Sequence, residues 1–242
     1  GRSLIFNGHI DVVPEGDPAN WTTPPFQGVV RDGAVYGRGA LDMKGGLCCA
    51  LFAAKALRDA GVHLKGKLMV ESVVGEEDGG TGALAAVLRG YHADGAVIPE
   101  PTALAVIPAQ AGAMNFRVTV PGYSAHGCMR EEGVSAIEKF IPLYQALVEL
   151  ERVRNQGVDD PLFVDYSLPF PLSVGTLQAG NWASTVPERL TFEGRYGVAV
   201  GESMMAARCL FEEAVSRAAQ ADPWLREHPP VVEWWGGQFD SA

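Results

Sequence analysis

The run Leu68-Met69-Val70-Glu71-Ser72-Val73-Val74 leads straight into Gly75-Glu76-Glu77-Asp78. It is apolar enough for a central strand, and at its end it must deliver two adjacent glutamates with no basic residue in the segment to neutralise them. Adjacent carboxylates repel, so the fold has to supply this turn with water or with cations. A solvated turn is the ordinary solution. The sharper one is a metal site in which one glutamate ligates while the other handles protons. What the other strand ends bring decides between them.

Leu4 to Asn7 is a short apolar run, read as a buried strand, and it delivers Gly8-His9-Ile10-Asp11 at its carboxyl end. Residues two apart at a strand end share a side. A ligating histidine usually has an oxygen on its other ring nitrogen, although His–Asp pairs also occur as plain hydrogen bonds. Val29 to Gly37 reads as a hairpin turning at Asp32-Gly33. Gly37 to Gly46 is glycine-dense around Asp42 and runs into a helix with Leu47, Ala50, Leu51, Ala54 and Leu57 on one face. Asp42 is then either a helix cap or a side chain presented by an unusual turn. Thr81 to Arg89 reads as a short helix. Asp94 to Ile98 reads as another strand, ending in Pro99-Glu100-Pro101-Thr102, where the prolines hold Glu100 rigidly in a turn. Strands alternating with helices predict an α/β sheet. His9, Glu76, Glu77 and Glu100 all follow strands, the layer where open α/β sheets place their sites.

Composition excludes some functions. The chain has 242 residues, and a net charge of -10 disfavours nucleic acid and anionic membranes as partners. No apolar run approaches a membrane span and no signal peptide is visible, so a cytoplasmic setting is expected. Cys48, Cys49, Cys128 and Cys209 contain no Cys-x-x-Cys unit and are expected as buried small hydrophobes in a reducing compartment. The chain begins Gly1-Arg2-Ser3 and stops after Ser241-Ala242, so both ends read as cut.

The pattern changes in the middle. Ala113 to Val120 alternates as a half-buried strand. Val134 to Arg154 is helical, Leu172 to Gln178 and Leu190 to Val198 are strands, Glu202 to Gln220 is helical, and Val231 to Trp235 is a last strand. The order β-α-β-β-α-β is the ferredoxin-like split pattern. The expectation is an inserted domain over 109–235, with 1–108 and the tail 236–242 forming a partial catalytic domain.

With these motifs in order, the chain resembles the metal-dependent amidohydrolases and peptidases that include acetylornithine deacetylase, succinyl-diaminopimelate desuccinylase, aminoacylase and glutamate carboxypeptidase. The matching stretches are Gly8-His9-Ile10-Asp11, Gly37 to Gly45, Gly75-Glu76-Glu77, Pro99-Glu100-Pro101-Thr102 and Gly122-Tyr123-Ser124-Ala125-His126-Gly127. The resemblance implies a zinc-peptidase-like catalytic sheet with a ferredoxin-like lid and dimerisation domain. It implies two divalent metal ions, zinc by preference with cobalt or manganese as alternatives. His9 would bind one ion with Asp11 orienting its ring, Asp42 would bridge both, Glu100 would complete the first, and Glu77 would bind the second. Glu76 would be the general base, and His126 would reach the partner subunit's site in a homodimer and help stabilise the tetrahedral intermediate.

The implied reaction is hydrolysis of an amide in an N-acyl amino acid or small peptide-like substrate. Deacylation or deformylation of a heterocyclic amine is the alternative within that chemistry. A non-catalytic dimerisation module is the alternative outside it, the truncated chain then being inactive. Two departures stand out. The family's second-metal histidine lies near the carboxyl end, whereas His63, His92 and His228 read as surface residues, which leaves the second ion one ligand short. Gly180 to Pro187 puts Ser184 where the family carries a substrate-contacting asparagine, with Asn181 just before it; Arg195 is the candidate for a substrate-binding arginine. A turn asparagine and a surface arginine are equally ordinary readings.

Overall fold

The computed structural model describes all 242 residues, in two units, Gly1–Ile107 and Pro108–Ala242. In the first, β1 (Leu4–His9), β4 (Leu68–Val73) and β5 (Gly95–Val97) form a parallel sheet in the order β4-β1-β5. The hairpin β2 (Val29–Arg31) and β3 (Ala34–Tyr36) stands apart and turns at Asp32 and Gly33, both with positive φ. Helix α1 (Gly46–Asp59) connects β1 to β4, and α2 (Thr81–Leu88) connects β4 to β5. Parallel strands need such crossovers. The pairing sets His9 level with Val73, so β1, β4 and β5 all end on one edge of the sheet. His9 closes β1 as its last residue, while Glu76, Glu77 and Glu100 follow the other two strands.

Helix α1 ends as its sequence suggests. Gly61, at φ 66°, lets the Val62 N–H reach the Leu57 carbonyl and the Gly61 N–H reach that of Arg58, satisfying carbonyls the helix leaves open. Its covered stripe is narrower than expected: Leu47 and Ala50 are buried, while Leu51 is exposed. That stripe also accounts for a correction. Cys48 and Cys49 sit on the uncovered faces of α1, and all four cysteines are free and exposed.

The second unit is an antiparallel sheet in the order β7-β8-β6-β9. Its strands are β6 (Gly112–Pro121), β7 (Leu172–Ala179), β8 (Arg189–Val198) and β9 (Val231–Phe239). Helix α3 (Ala136–Asn155) joins β6 to β7. Helix α4 (Met204–Ala221) and the short α5 (Pro223–Glu227) join β8 to β9. Period-2 alternation places Met114, Phe116, Val118 and Val120 on one face of β6, where each is fully buried. They pack with Phe192 and Tyr196 of β8, Leu143 and Leu147 of α3 and Phe211 of α4 in one cluster. Burying each such side chain stabilises the unit by about 1.5–3 kcal/mol.

Within that core Phe116 faces Gly194 across the β6–β8 pairing. A Cβ at Gly194 would meet the Phe116 ring at 2.5 Å and the Ser173 carbonyl of β7 at 2.0 Å. At the edge of the core Arg154 makes a forked pair with Glu202, 2.7 Å on each arm, and donates to the Gly197 carbonyl. Ser135 and Ser203 cap α3 and α4 through the N–H groups of Glu138 and Ala206.

The sequence reading sends Gly236 to Ala242 back to the first unit; the structure keeps them in the second. Trp235-Gly236-Gly237 looks like the end of a strand, but the pairing shifts register there and β9 continues, with Gln238 opposite Met114 and Phe239 opposite Ala113. Gly236, at φ 66°, makes the irregularity that a side chain would resist. Ala242 then exchanges both main-chain hydrogen bonds with Gln110.

Candidate metal centre

His9 is buried at the end of β1, only 1% exposed, and carboxylates surround it. Its Nε2 lies 3.1 Å from Asp42 Oδ1, 3.7 Å from Glu100 Oε1 and 3.8 Å from Glu76 Oε2. Its Nδ1–H donates to the main-chain carbonyl of Asp11 at 3.0 Å. A carbonyl can only accept, so Nδ1 carries a proton and Nε2 is the atom turned toward the acids. The Asp11 carbonyl therefore holds the ring, with the Asp11 carboxylate close behind it. The Asp11 carboxylate does two other things. Oδ2 accepts the Glu77 N–H at 3.2 Å, and Oδ1, buried and without a hydrogen-bond partner, faces His9 Nδ1 at 3.5 Å.

Two glycines shape the Asp42 side of the site. Residues Ala40–Gly45 form a wide turn in which Asp42 and Met43 leave helical geometry. Gly39 opens it at φ 77°, where a Cβ would strike the Val12 side chain at 2.4 Å. Gly46, the first residue of α1, meets the chain before Glu100: a Cβ there would lie 1.8 Å from the Pro99 carbonyl oxygen.

The electrostatics follow from crowding. Burial pushes the Glu77 carboxyl above its usual range, and Asp42 and Glu76 push it further. Burial likewise raises Glu100, with Asp42 adding to it. For His9 burial disfavours the charged ring, but the Asp11 carbonyl and the carboxylates of Glu76, Glu100 and Asp11 outweigh it and raise the pKa above 6.5. Burial would raise Asp11 too, yet main-chain N–H groups, that of Glu77 foremost, hold it below its ordinary value. The donor set is one imidazole nitrogen and several carboxylate oxygens, and ligand atoms of His9, Asp42 and Glu77 lie within 4.8 Å of one another. That set fits a divalent ion accepting nitrogen and oxygen ligands, and the unpartnered Asp11 Oδ1 behind Nδ1 fits the carboxylate that supports a ligating histidine.

His9, Asp11, Asp42, Glu76, Glu77 and Glu100 thus come together in the first unit. His9 is the histidine in the group of clustered ligand atoms, while His63 and His92 are exposed. In the second unit, His126 is exposed; its Nδ1 accepts the Cys128 N–H at 3.3 Å. The Ser184 carbonyl accepts the Gly127 N–H and the Ala125 carbonyl accepts the Val186 N–H, so Asn181 to Thr185 are tied beside His126. Asn181 and Ser184 are exposed there. The Arg195 guanidinium lies over the Phe239 ring at 5.7 Å. Trp182, which is not among the residues that the motifs single out, lies 5.7 Å from His126 between ring centroids; its signal in the sequence is an aromatic residue inside a polar loop between Gly180 and Pro187. His228 is exposed and stacks on Trp224. No helix is long and apolar enough to cross a membrane.

Comparison with known proteins matches residues 5–235 to the model of peptidase family M20/M25/M40. An N-formyl-4-amino-5-aminomethyl-2-methylpyrimidine deformylase from Halalkalibacterium halodurans is 38% identical, over 97% of this chain and 57% of its own. A succinyl-diaminopimelate desuccinylase from Gluconacetobacter diazotrophicus is 32% identical, over 79% of this chain and 50% of its own. The chain therefore spans about half the length of these relatives. Among solved structures, a di-peptidase from Saccharomyces cerevisiae superposes with a TM-score of 0.73 at 13% identity, covering 99% of this chain and 62% of that one. An M20 family metallo-carboxypeptidase from Sulfolobus solfataricus gives 0.69 at 15%, covering 100% and 65%. At such identities the likeness is one of fold.

Proposed function

Because the chain belongs to peptidase family M20/M25/M40, we propose that its first unit carries the metal-binding face of a hydrolase that cleaves the amide bond of a small acylated amine or amino acid. One observation carries the reading: a buried imidazole meets carboxylates arriving from the ends of neighbouring parallel strands and from the turn before α1. His9 and Glu100 would hold one divalent ion and Glu77 the other, and Asp42, whose side chain has two oxygens, would serve both. When bound, two such ions, zinc or alternatively cobalt or manganese, lower the pKa of a water toward about 7 and polarise the amide carbonyl.

The chain's own residues do the rest. Asp11 fixes the His9 ring through its carbonyl and the Glu77 main chain through its carboxylate. Glu76, free of a ligand's duty, takes a proton from the attacking water and returns it to the leaving nitrogen. His126 donates to the oxygen of the tetrahedral intermediate in the partner subunit's site of a homodimer. The second unit is read as a ferredoxin-like lid and dimerisation domain; its β-α-β-β-α-β order supports this. Asn181, Ser184 and Arg195 are its candidate substrate contacts. The free thiols accord with a reducing, cytoplasmic setting.

For the substrate, we place an N-formylated heterocyclic amine first, because the deformylase matches nearly the whole chain at the higher identity. An N-acyl amino acid is the second reading, favoured by the desuccinylase. The test is metal content, then turnover of N-formyl, N-acetyl and N-succinyl amides by the full-length protein with added zinc or cobalt. Failure to bind divalent metal in excess zinc or cobalt would sink the hydrolase reading and leave a non-catalytic dimerisation module.

A further inference from the structure

Trp182 differs from the other tryptophans of the chain. Trp21 lies under the Arg38 guanidinium and donates its indole N–H to the Glu15 carbonyl. Trp224 is stacked on His228 and donates to the Pro121 carbonyl. Trp234 packs in the core against Phe211 and donates to Glu212. Arg117 covers Trp235. Trp182 has none of these commitments. It is 59% exposed, and its indole N–H has no protein acceptor. Its aromatic neighbour is His126, tilted by 66° rather than stacked. Its indole face is therefore open to a ligand.

The loop around it is nevertheless well held. The Thr185 N–H donates to the Trp182 carbonyl, the Gly127 N–H to the Ser184 carbonyl and the Val186 N–H to the Ala125 carbonyl. Residues 126 and 185 also pair as an isolated bridge. Trp182 is thus fixed to the segment that carries His126, and it lines an open groove with Asn181, Thr185, Pro187 and Ile137. An indole offers a broad electron-rich face and one donor at its rim. The complementary ligand for that face is a flat heteroaromatic ring that stacks on it, while the in-plane N–H stays free for a separate acceptor. An aliphatic N-acyl amino acid has no ring to stack on that face.

We propose that Trp182 is a specificity-determining residue that selects substrates whose leaving amine carries a planar nitrogen heterocycle. The inference rests on the reading of His126 as a substrate-side residue, and it adds the residue that tells a heteroaromatic amide from an aliphatic one. The test uses the full-length protein loaded with zinc, with Trp182→Ala and Trp182→Phe variants. Calorimetric titration with an aminomethylpyrimidine, the free amine, reads binding without turnover. We expect about tenfold weaker binding in Trp182→Ala and near-complete recovery in Trp182→Phe.

Kinetics on an N-formyl aminomethylpyrimidine should show the same change in KM with kcat little altered, while an N-acetyl aliphatic amino acid is affected less than twofold. Equal losses on both substrates would make Trp182 a structural residue and overturn the proposal. Unchanged binding in Trp182→Ala, or no binding by the unsubstituted protein, overturns it as well. Absent turnover with intact Trp182-dependent binding would instead count against the hydrolase reading alone.

Discussion

The Asp11 carboxylate accepts the main-chain N–H of Glu77 at 3.2 Å while the Asp11 carbonyl accepts the His9 ring N–H at 3.0 Å. One residue therefore fixes the histidine at the end of β1 and the turn that follows β4. Asp11→Asn keeps the size and the carbonyl but removes the charge behind Nδ1. Removing such supporting partners typically costs about 10–100-fold in metal affinity. Zinc titration against a competing chelator should show that loss, with the fold preserved by circular dichroism. Unchanged affinity would mean that the carbonyl alone sets the site.

Glu76 and Glu77 are neighbours with different prospects. Glu77 belongs to the group whose ligand atoms cluster with those of His9 and Asp42. Glu76→Gln in the full-length protein should keep its metal content and lose about 100- to 10,000-fold in kcat, the usual contribution of general acid–base catalysis. Metal analysis beside steady-state kinetics separates the two effects. Turnover retained in Glu76→Gln would show that another group moves the proton.

Gly46 is where α1 starts and where the chain ahead of Glu100 passes. A methyl there would lie 1.8 Å from the Pro99 oxygen, a contact relieved only by moving one backbone away from the other. Gly46→Ala should shift Glu100 and weaken metal binding at least tenfold, measured by the same titration. A helical position ordinarily gains from Gly→Ala, so a loss at this first residue of α1 would report the contact and not the propensity.

Arg154 and Glu202 are 8% and 16% exposed, so theirs is a buried pair. Burial raises the Glu202 carboxyl, but the Arg154 fork and the Ala199 N–H outweigh it and bring the pKa below its ordinary 4.5. A depressed carboxyl stabilises the fold above its unfolded pKa, and that contribution is lost as pH falls through the folded one. Arg154→Met should therefore cost about 3–5 kcal/mol at pH 7 by leaving Glu202 charged and unpaired. In urea unfolding the difference from the unsubstituted protein should narrow below pH 4.5 as Glu202 protonates. A difference independent of pH would assign the loss to packing.

Much of this was legible from residue types. Strands ending in His9, Glu76 and Glu100 stand out because apolar runs and turn residues set them off, and the clustered acids follow from parallel strands ending on one edge. The alternation of β6 likewise announced its buried face. What escaped is carried by backbone. No residue pattern decides between a carbonyl and a carboxylate as the partner of the His9 ring, or signals that Gly46 accommodates a passing chain. Gly236-Gly237 read as a terminator because a bulge and a strand end share the same glycine signal. Cys48 and Cys49 read as buried because an apolar helix was assumed to be covered on more than the Leu47–Ala50 stripe.

The bare position at Gly194 has a consequence for how this sequence can drift. A methyl at 194 would meet two obstacles at once, the Phe116 ring and the Ser173 carbonyl. A smaller residue at 116 would relieve the first, at the expense of a hole in the core, and leave the second untouched. No single compensating substitution exists, because one of the neighbours is main chain common to every amino acid. Position 194 is therefore a fixed point: Phe116 can vary only within the space glycine grants it, and β7 keeps its register only while that glycine remains.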